Sequence, residues 1–170
     1  MSSTPLHSAA RLQLVTPCGE LSIIHTTDAV LAAGWDTTVA AQLRLIHPSI
    51  RPVHLYEHTE DPLGLEDVVA AYFNGDPSVI DQVRVHQVGG PFTERVWAAI
   101  REIPPGETAS YTEVAEMAGS PMAFRAAASA CATNPSALFV PCHRVVKADG
   151  TPGGFRYGLA IKQALLAIEA

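Results

Sequence analysis

Ser110-Tyr111-Thr112-Glu113-Val114-Ala115-Glu116-Met117-Ala118-Gly119-Ser120-Pro121 is the stretch on which the fold turns. Its first four residues have the S-x-x-E spacing in which a serine caps a helix and a glutamate three residues on answers it, so a helix opens there and runs to Gly119. Ala118-Gly119-Ser120-Pro121 interrupts it, and a further helix is expected from about Pro121 to Thr133. Two short helices joined by such a turn form a helix-turn-helix. The second is built of small residues, Ala123, Ala126, Ala127, Ala128, Ser129 and Ala130, around one long cation, Arg125. Such a helix either packs tightly in a core, alanine being the best helix former, or lets its backbone approach another molecule while the arginine projects into it.

Downstream, Asn134-Pro135 ends the helix, because the residue before proline is disfavoured in the helical region. Ala137 to Val140 reads as a buried strand delivering Pro141-Cys142-His143-Arg144-Val145. Pro141 bars ladder pairing, as expected where a strand stops and a site begins. A potential nucleophile, base and cation are then consecutive. Thiols react as thiolates, made available by an imidazole, a cation or oriented amides, so Cys142 reads as reactive. Neighbouring side chains of an extended segment point to opposite faces, so a turn or a bridging water has to bring Cys142 and His143 into communication. Taken in isolation, a Cys-His pair is more often a core cysteine beside an incidental histidine.

Further on, Lys147-Ala148-Asp149-Gly150-Thr151 is a turn leading into Gly153-Gly154-Phe155-Arg156-Tyr157-Gly158, whose aromatics around Arg156 suit the border of a pocket for a flat ring. Ile161, Ala164, Leu165 and Ile168 mark the inner face of a last helix with Glu169 at its end.

Upstream, Thr93 is expected to cap a helix carrying Val96, Trp97 and Ile100 on one face and ending at Pro104-Pro105-Gly106. Gly89-Gly90-Pro91 marks the boundary between a unit spanning 1–88 and one spanning 89–170. The first half reads as a small mixed sheet with helices. Arg11 to Val15 alternates with period two, Thr16 to Glu20 supplies a turn and Leu21 to His25 returns, while Val30 to Trp35 and Val83 to Val88 are further strand candidates. Thr38 to Ile46 and Glu66 to Asn74 look helical, the latter stopped by Gly75, and residues 47–63 are expected to be irregular.

The composition, 48% hydrophobic and 16% charged over 170 residues, is that of a globular chain with a sizeable core. Residues 1–7 carry neither a basic start nor an apolar run, and an intracellular protein is expected. Three cysteines, 18, 131 and 142, form no C-x-x-C pair, so reduced thiols are expected, and the seven histidines lack the paired spacing of a zinc site, so no metal is expected. The net charge of −6 is uneven: residues 1–91 hold four Lys/Arg against ten Asp/Glu, whereas residues 92–170 hold seven of each. Within 117–162, Arg125, Arg144, Lys147, Arg156 and Lys162 face Asp149 alone, a modest footprint for a polyanion.

Pro-Cys-His-Arg-Val, preceded by an Arg-bearing helix of small residues and Asn-Pro, resembles the O6-alkylguanine-DNA alkyltransferases, or methylated-DNA-protein cysteine methyltransferases, most of all the adaptive-response type. The resemblance covers about 90–170 closely. It implies an α+β fold, an N-terminal ribonuclease-H-like α/β roll followed by a C-terminal winged helix-turn-helix domain. It also implies single-use repair: Cys142 accepts the alkyl group, His143 takes its proton through a water, Glu169 orients the imidazole, and Tyr111 donates to the leaving guanine. Arg125 would enter the stack as the target base rotates out, with Ala126, Ala127, Ser129 and Ala130 against the minor groove. Asn134 would be the hinge, with Cys131, Val145, Phe155 and Arg156 around the pocket, and bulky Arg156 would favour methyl over benzyl adducts. No cofactor is implied. The implied partner is double-stranded DNA containing O6-alkylguanine, met by a cytoplasmic protein that is monomeric when free and has no membrane association.

Three other readings stand beside this one. A non-catalytic lesion binder would lack the acceptor cysteine, a transcriptional regulator would need a metal-thiolate sensor, and a cysteine hydrolase would need an oxyanion site.

Overall fold

The computed structural model describes residues 8–36 and 38–170. Residues 1–7, on which the expectation of an intracellular protein rests, lie outside it. The alternating stretch around Leu12 and Leu14 forms β1 (Ser8–Thr16), and β2 (Gly19–His25) returns antiparallel with Thr16 opposite Gly19. β3 (Val30–Gly34), buried along its whole length, adds antiparallel to β2.

The expectation of an irregular 47–63 is corrected: His54–Glu57 is β4, parallel to β1, and the sheet order is β3-β2-β1-β4. As an edge strand with three of four residues exposed, it has no buried face to leave an alternating pattern. The strand expected over Val83 to Val88 is also corrected, since only Val85 bridges Val30. Arg101 takes the carbonyls of Ile80, Asp81 and Val83 in place of a strand partner.

Two helices flank this sheet. Thr38 caps α1 (Val39–Leu45), accepting from the Ala41 amide, and α2 (Leu65–Phe73) ends at Asn74 with Gly75 in the left-handed region. α3 (Pro91–Arg101) starts at Pro91, not behind a Thr93 cap, because proline's fixed φ suits the first helical position and its missing N–H costs nothing there. α4 (Tyr111–Met117) opens as expected, Ser110 Oγ accepting from Glu113 N at 3.0 Å. α5 (Phe124–Ala132) begins later than the sequence suggested, after a turn closed by Ala123 N donating to Ser120 O. β5 (Ala109–Ser110) and β6 (Val145–Val146) pair in parallel, and α6 (Leu159–Glu169) closes the chain. The fold is thus a mixed α+β one. Among the described residues, no helix is long and apolar enough to cross a membrane.

Two cores position the site. Val96, Trp97, Ile100, Val114, Ala127, Ala130 and Val145 fill the space among α3, α4 and α5. A second core mixes the halves of the chain, uniting Leu12, Leu21, Ile23, Val69 and Tyr72 with Leu138, Phe139 and Leu165. Pro135 and Ala137 dock on β3 through Ala33 N to Pro135 O and Ala137 N to Ala33 O, both 2.9 Å.

The strand expected over Ala137 to Val140 is therefore a buried turn instead, with Leu138 at φ +75°. Such a backbone costs about 1–3 kcal/mol in a non-glycine residue. Fully burying Leu138 and Phe139 returns about 1.5–3 kcal/mol each, which holds the turn in place.

Candidate active site

Cys142, His143 and Arg144 form one turn of 3-10 helix, held by Arg144 N to Pro141 O at 2.9 Å and Cys142 N to Val140 O at 2.7 Å. Cys142 and His143 thus share a tight turn and not an extended segment. Cys142 is 7% exposed and opens on a cavity of about 640 Å³ lined also by Tyr111, Ala128, Cys131, Ala132, Lys147, Gly154, Phe155 and Arg156.

His143 and Glu169 are both buried, with His143 Nε2 2.9 Å from Glu169 Oε2. An ionised carboxylate only accepts, so the imidazole proton sits on Nε2 and the ring's basic atom is Nδ1, which is buried without a partner. Glu169, at the end of α6, is firmly held. It accepts from Arg144 Nε at 2.9 Å, Arg144 Nη2 at 2.8 Å and Tyr72 Oη at 2.8 Å, besides His143. Arg144 Nη1 donates on to Ile103 O at 2.7 Å.

The electrostatics assign roles. Burial pushes the Cys142 thiol up, and a hydrogen bond from Asn134, the Lys162 charge, its own amide and Arg156 only partly oppose this. The thiol therefore needs a base. Burial pushes the His143 imidazole down, more than Glu169 raises it, so His143 is neutral at neutral pH and able to accept a proton. Burial alone would raise Glu169, but its hydrogen bonds with His143 and Arg144 and the Arg144 charge hold its carboxyl at about 2. Tyr111, raised mainly by burial and next by the two cysteines, keeps its proton and can donate. A Cβ on Gly153 would stand 3.0 Å from Tyr111 Oη, and its φ of +73° likewise suits glycine.

Asn134 ties α5 to the cysteine turn. Its Nδ2 donates to Val140 O at 2.9 Å, while its Oδ1 accepts from Ser136 N at 3.1 Å and Gln87 Nε2 at 2.8 Å. Arg156 Nη2 donates to Ala132 O at 2.6 Å, a contact from the cavity loop to the end of α5. Tyr157 Oη donates to Asp36 Oδ2 at 3.1 Å, fastening the same loop to the first half of the chain.

Several expected positions are corrected. Val145 does not line the cavity; it is fully buried in the helical core, and its carbonyl accepts from Lys162. Ala127 and Ala130 also face that core, so the outer side of α5 presents Arg125, Ala126 and Ser129. The guanidinium of Arg125 lies 5.7 Å from the Phe124 ring centroid. Arg144 and Lys162 are fully buried, which leaves Arg125, Lys147 and Arg156 as the exposed cations of the supposed footprint.

Tyr72 and Lys162 touch the site in ways that spacing did not reveal. Lys162 Nζ donates to Val145 O at 2.6 Å and Gly154 O at 3.1 Å, pinning the cavity loop to β6. The histidines also do not all stay apart: His25 and His58, 33 positions apart, meet in the first half of the chain.

A family profile described as "6-O-methylguanine DNA methyltransferase, DNA binding domain" matches residues 91–170. The chain is 41% identical over 134 residues to a methylated-DNA–protein-cysteine methyltransferase of Mycolicibacterium paratuberculosis, covering 77% of this chain and 80% of that one. It is 38% identical over 144 residues to the bifunctional transcriptional activator/DNA repair enzyme Ada of Escherichia coli; the match takes in 84% of this chain but only 39% of that longer protein. The crystal structure of Mycobacterium tuberculosis OGT in complex with DNA superposes with a TM-score of 0.78 at 32% identity, covering 94% of this chain and 92% of the other.

Proposed function

This chain belongs to the methylated-DNA–protein-cysteine methyltransferase family, and we propose that it repairs DNA by taking an alkyl group from O6-alkylguanine onto its own Cys142. The observation that carries the proposal is a buried thiol that opens on a cavity and is followed, in the same 3-10 turn, by an imidazole that a buried carboxylate orients.

In the reaction His143 Nδ1 takes the Cys142 proton through a bridging water, and Glu169 stabilises the imidazolium that forms. The thiolate attacks the alkyl carbon in line with its bond to O6. The S–C bond forms as the C–O bond breaks, the electron pair leaves with the guanine, and Tyr111, keeping its proton, donates a hydrogen bond to that charge. A thioether is a poor leaving group, so each molecule acts once. The damaged base is itself the donor, and no cofactor enters the balance. Incubation with O6-methylguanine duplex should add one methylene to the Cys142 peptide, one equivalent per protein and no more. Recovery of unmodified Cys142 after prolonged exposure to excess lesion would refute the proposal.

For the fold we read residues 1–88 as a ribonuclease-H-like roll and residues 89–170 as a winged helix-turn-helix domain that binds DNA as a monomer through the minor groove. The small outward residues Ala126 and Ser129 let α5 come close, and Arg125 fills the space of the extruded nucleotide. Arg125→Ala should then slow repair of a duplex lesion by about tenfold or more while leaving reaction with free O6-methylguanine within about twofold, because only the duplex has to be unstacked. Equal losses on the two substrates would remove the extrusion role. A reduced Cys142 requires a reducing compartment that holds DNA, which in a cell without a nucleus is the cytoplasm.

Substrate size follows from Arg156, which lines the cavity while bonded to Ala132 O. Methyl adducts should react faster than benzyl ones, and Arg156→Gly should narrow that difference in a side-by-side rate measurement. Comparable wild-type rates would count against the assignment.

A further inference from the structure

In the first half of the chain, side chains from three places converge: His25 at the end of β2, His58 just past β4, and Asp61 and Glu66 at the start of α2. His25 Nδ1 lies 2.9 Å from Thr26 O, and its Nε2 lies 2.8 Å from His58 Nδ1. A carbonyl can only accept, so His25 carries its proton on Nδ1. The ring is 2% exposed, and burial disfavours a second proton, so Nε2 accepts and His58 Nδ1 donates. With Nδ1 engaged there, Nε2 is the His58 nitrogen left to meet a further group.

That nitrogen faces carboxylates. The His58 side chain is 7% exposed, and its Nε2 makes no hydrogen bond among the described residues and stands 3.7 Å from Glu66 Oε2. The donor atoms of His58, Asp61 and Glu66 all lie within 4.8 Å of one another. Asp61 is oriented by accepting from Leu65 N at 2.8 Å and Glu66 N at 3.0 Å, whereas the Glu66 side chain is 57% exposed and free to swing inward. An ion placed between them would draw on all three donor atoms.

We propose that His58, Asp61 and Glu66 bind a zinc ion, with His25 as the positioning residue behind His58. In a tetrahedral site with bonds of about 2.0–2.1 Å, donor atoms stand about 3.3 Å apart, so closure asks for a modest inward shift led by Glu66. An imidazole among carboxylates suits zinc better than calcium or magnesium, which favour all-oxygen sets. A ligating histidine whose other nitrogen donates to a fixed acceptor is the usual outer-shell arrangement, and His25 supplies that acceptor. The ion would clip the connection after β4 to the first turn of α2. It lies apart from the cysteine chemistry, so methyl transfer serves as an independent check of folding.

The test is titration of the full chain, thiols kept reduced, with zinc chloride against a chromophoric chelator. One equivalent should bind, His58→Gln and Glu66→Gln should each weaken it at least about tenfold, and zinc-edge absorption should show nitrogen and oxygen neighbours only. Both variants should still accept a methyl group from O6-methylguanine duplex. If His58→Gln fails to fold, the exposed Glu66→Gln decides. Absence of saturable binding, undiminished binding in the folded variants, or sulfur in the first shell would overturn the site.

Discussion

Cys142→Ser is expected to abolish methyl transfer, lowering the rate by at least about 10⁴-fold, the scale on which loss of a triad nucleophile acts. A serine hydroxyl is far harder to ionise than a thiol, and the burial that already raises Cys142 would raise it further. A neutral His143 cannot extract that proton to any useful extent. Exchanging sulfur for oxygen leaves the turn, the Asn134 contacts and the outer face of α5 in place, so affinity for an O6-methylguanine duplex in a gel-shift measurement should stay within a few-fold of wild type. A Cys142→Ser protein that still consumed lesion, with the methyl recovered on Cys131 across the same cavity, would transfer the nucleophile's role to that residue.

Glu169→Ala should cost about 3–5 kcal/mol in urea unfolding, because it strands a fully buried Arg144 guanidinium. It also frees Tyr72 Oη and His143 Nε2 from their acceptor, and transfer should fall by about 10²–10⁴-fold as the imidazole loses its tautomer and its stabilising charge. The pH dependence has a definite sign. A carboxyl held at about 2 when folded, against an ordinary 4.5, contributes stability that is complete above pH 4.5 and disappears as pH falls towards 2. The gap between wild type and Glu169→Ala should therefore close across that acid window. A constant gap would mean that packing, and not the ion pair, accounts for the loss.

Local signals in the sequence carried the second half well. The serine-glutamate spacing at Ser110, the Asn134-Pro135 stop and the turn at Lys147 each act over a few residues, and each stands where expected. The cysteine turn was legible as a site because Pro141 punctuates an apolar run, but the run itself was typed wrongly. An apolar stretch of four residues does not distinguish a buried strand from a buried turn, and here contacts with β3 and Asn134 decide.

The same limit explains the charges. Arg144 and Lys162 count as surface cations until the fold shows their acceptors, which come from positions as distant as Ile103 and Glu169. Tyr72 sits 97 positions from the carboxylate it serves, a separation that no periodicity encodes. The edge strand β4 and the meeting of His25 with His58 likewise arise only when the sheet assembles.

Because Leu138, Phe139 and Leu165 are packed among residues of the opening sheet, the two halves hold a single oily interior in common. Severing the chain at Gly89 would bare that surface on both fragments, and the piece bearing Cys142 would be prone to clump before it met any lesion. The acidic half thus earns its place as a permanent internal escort. Its ten acidic against four basic residues over 1–91 would, on the proposed function, repel the phosphate backbone and disfavour docking by that side.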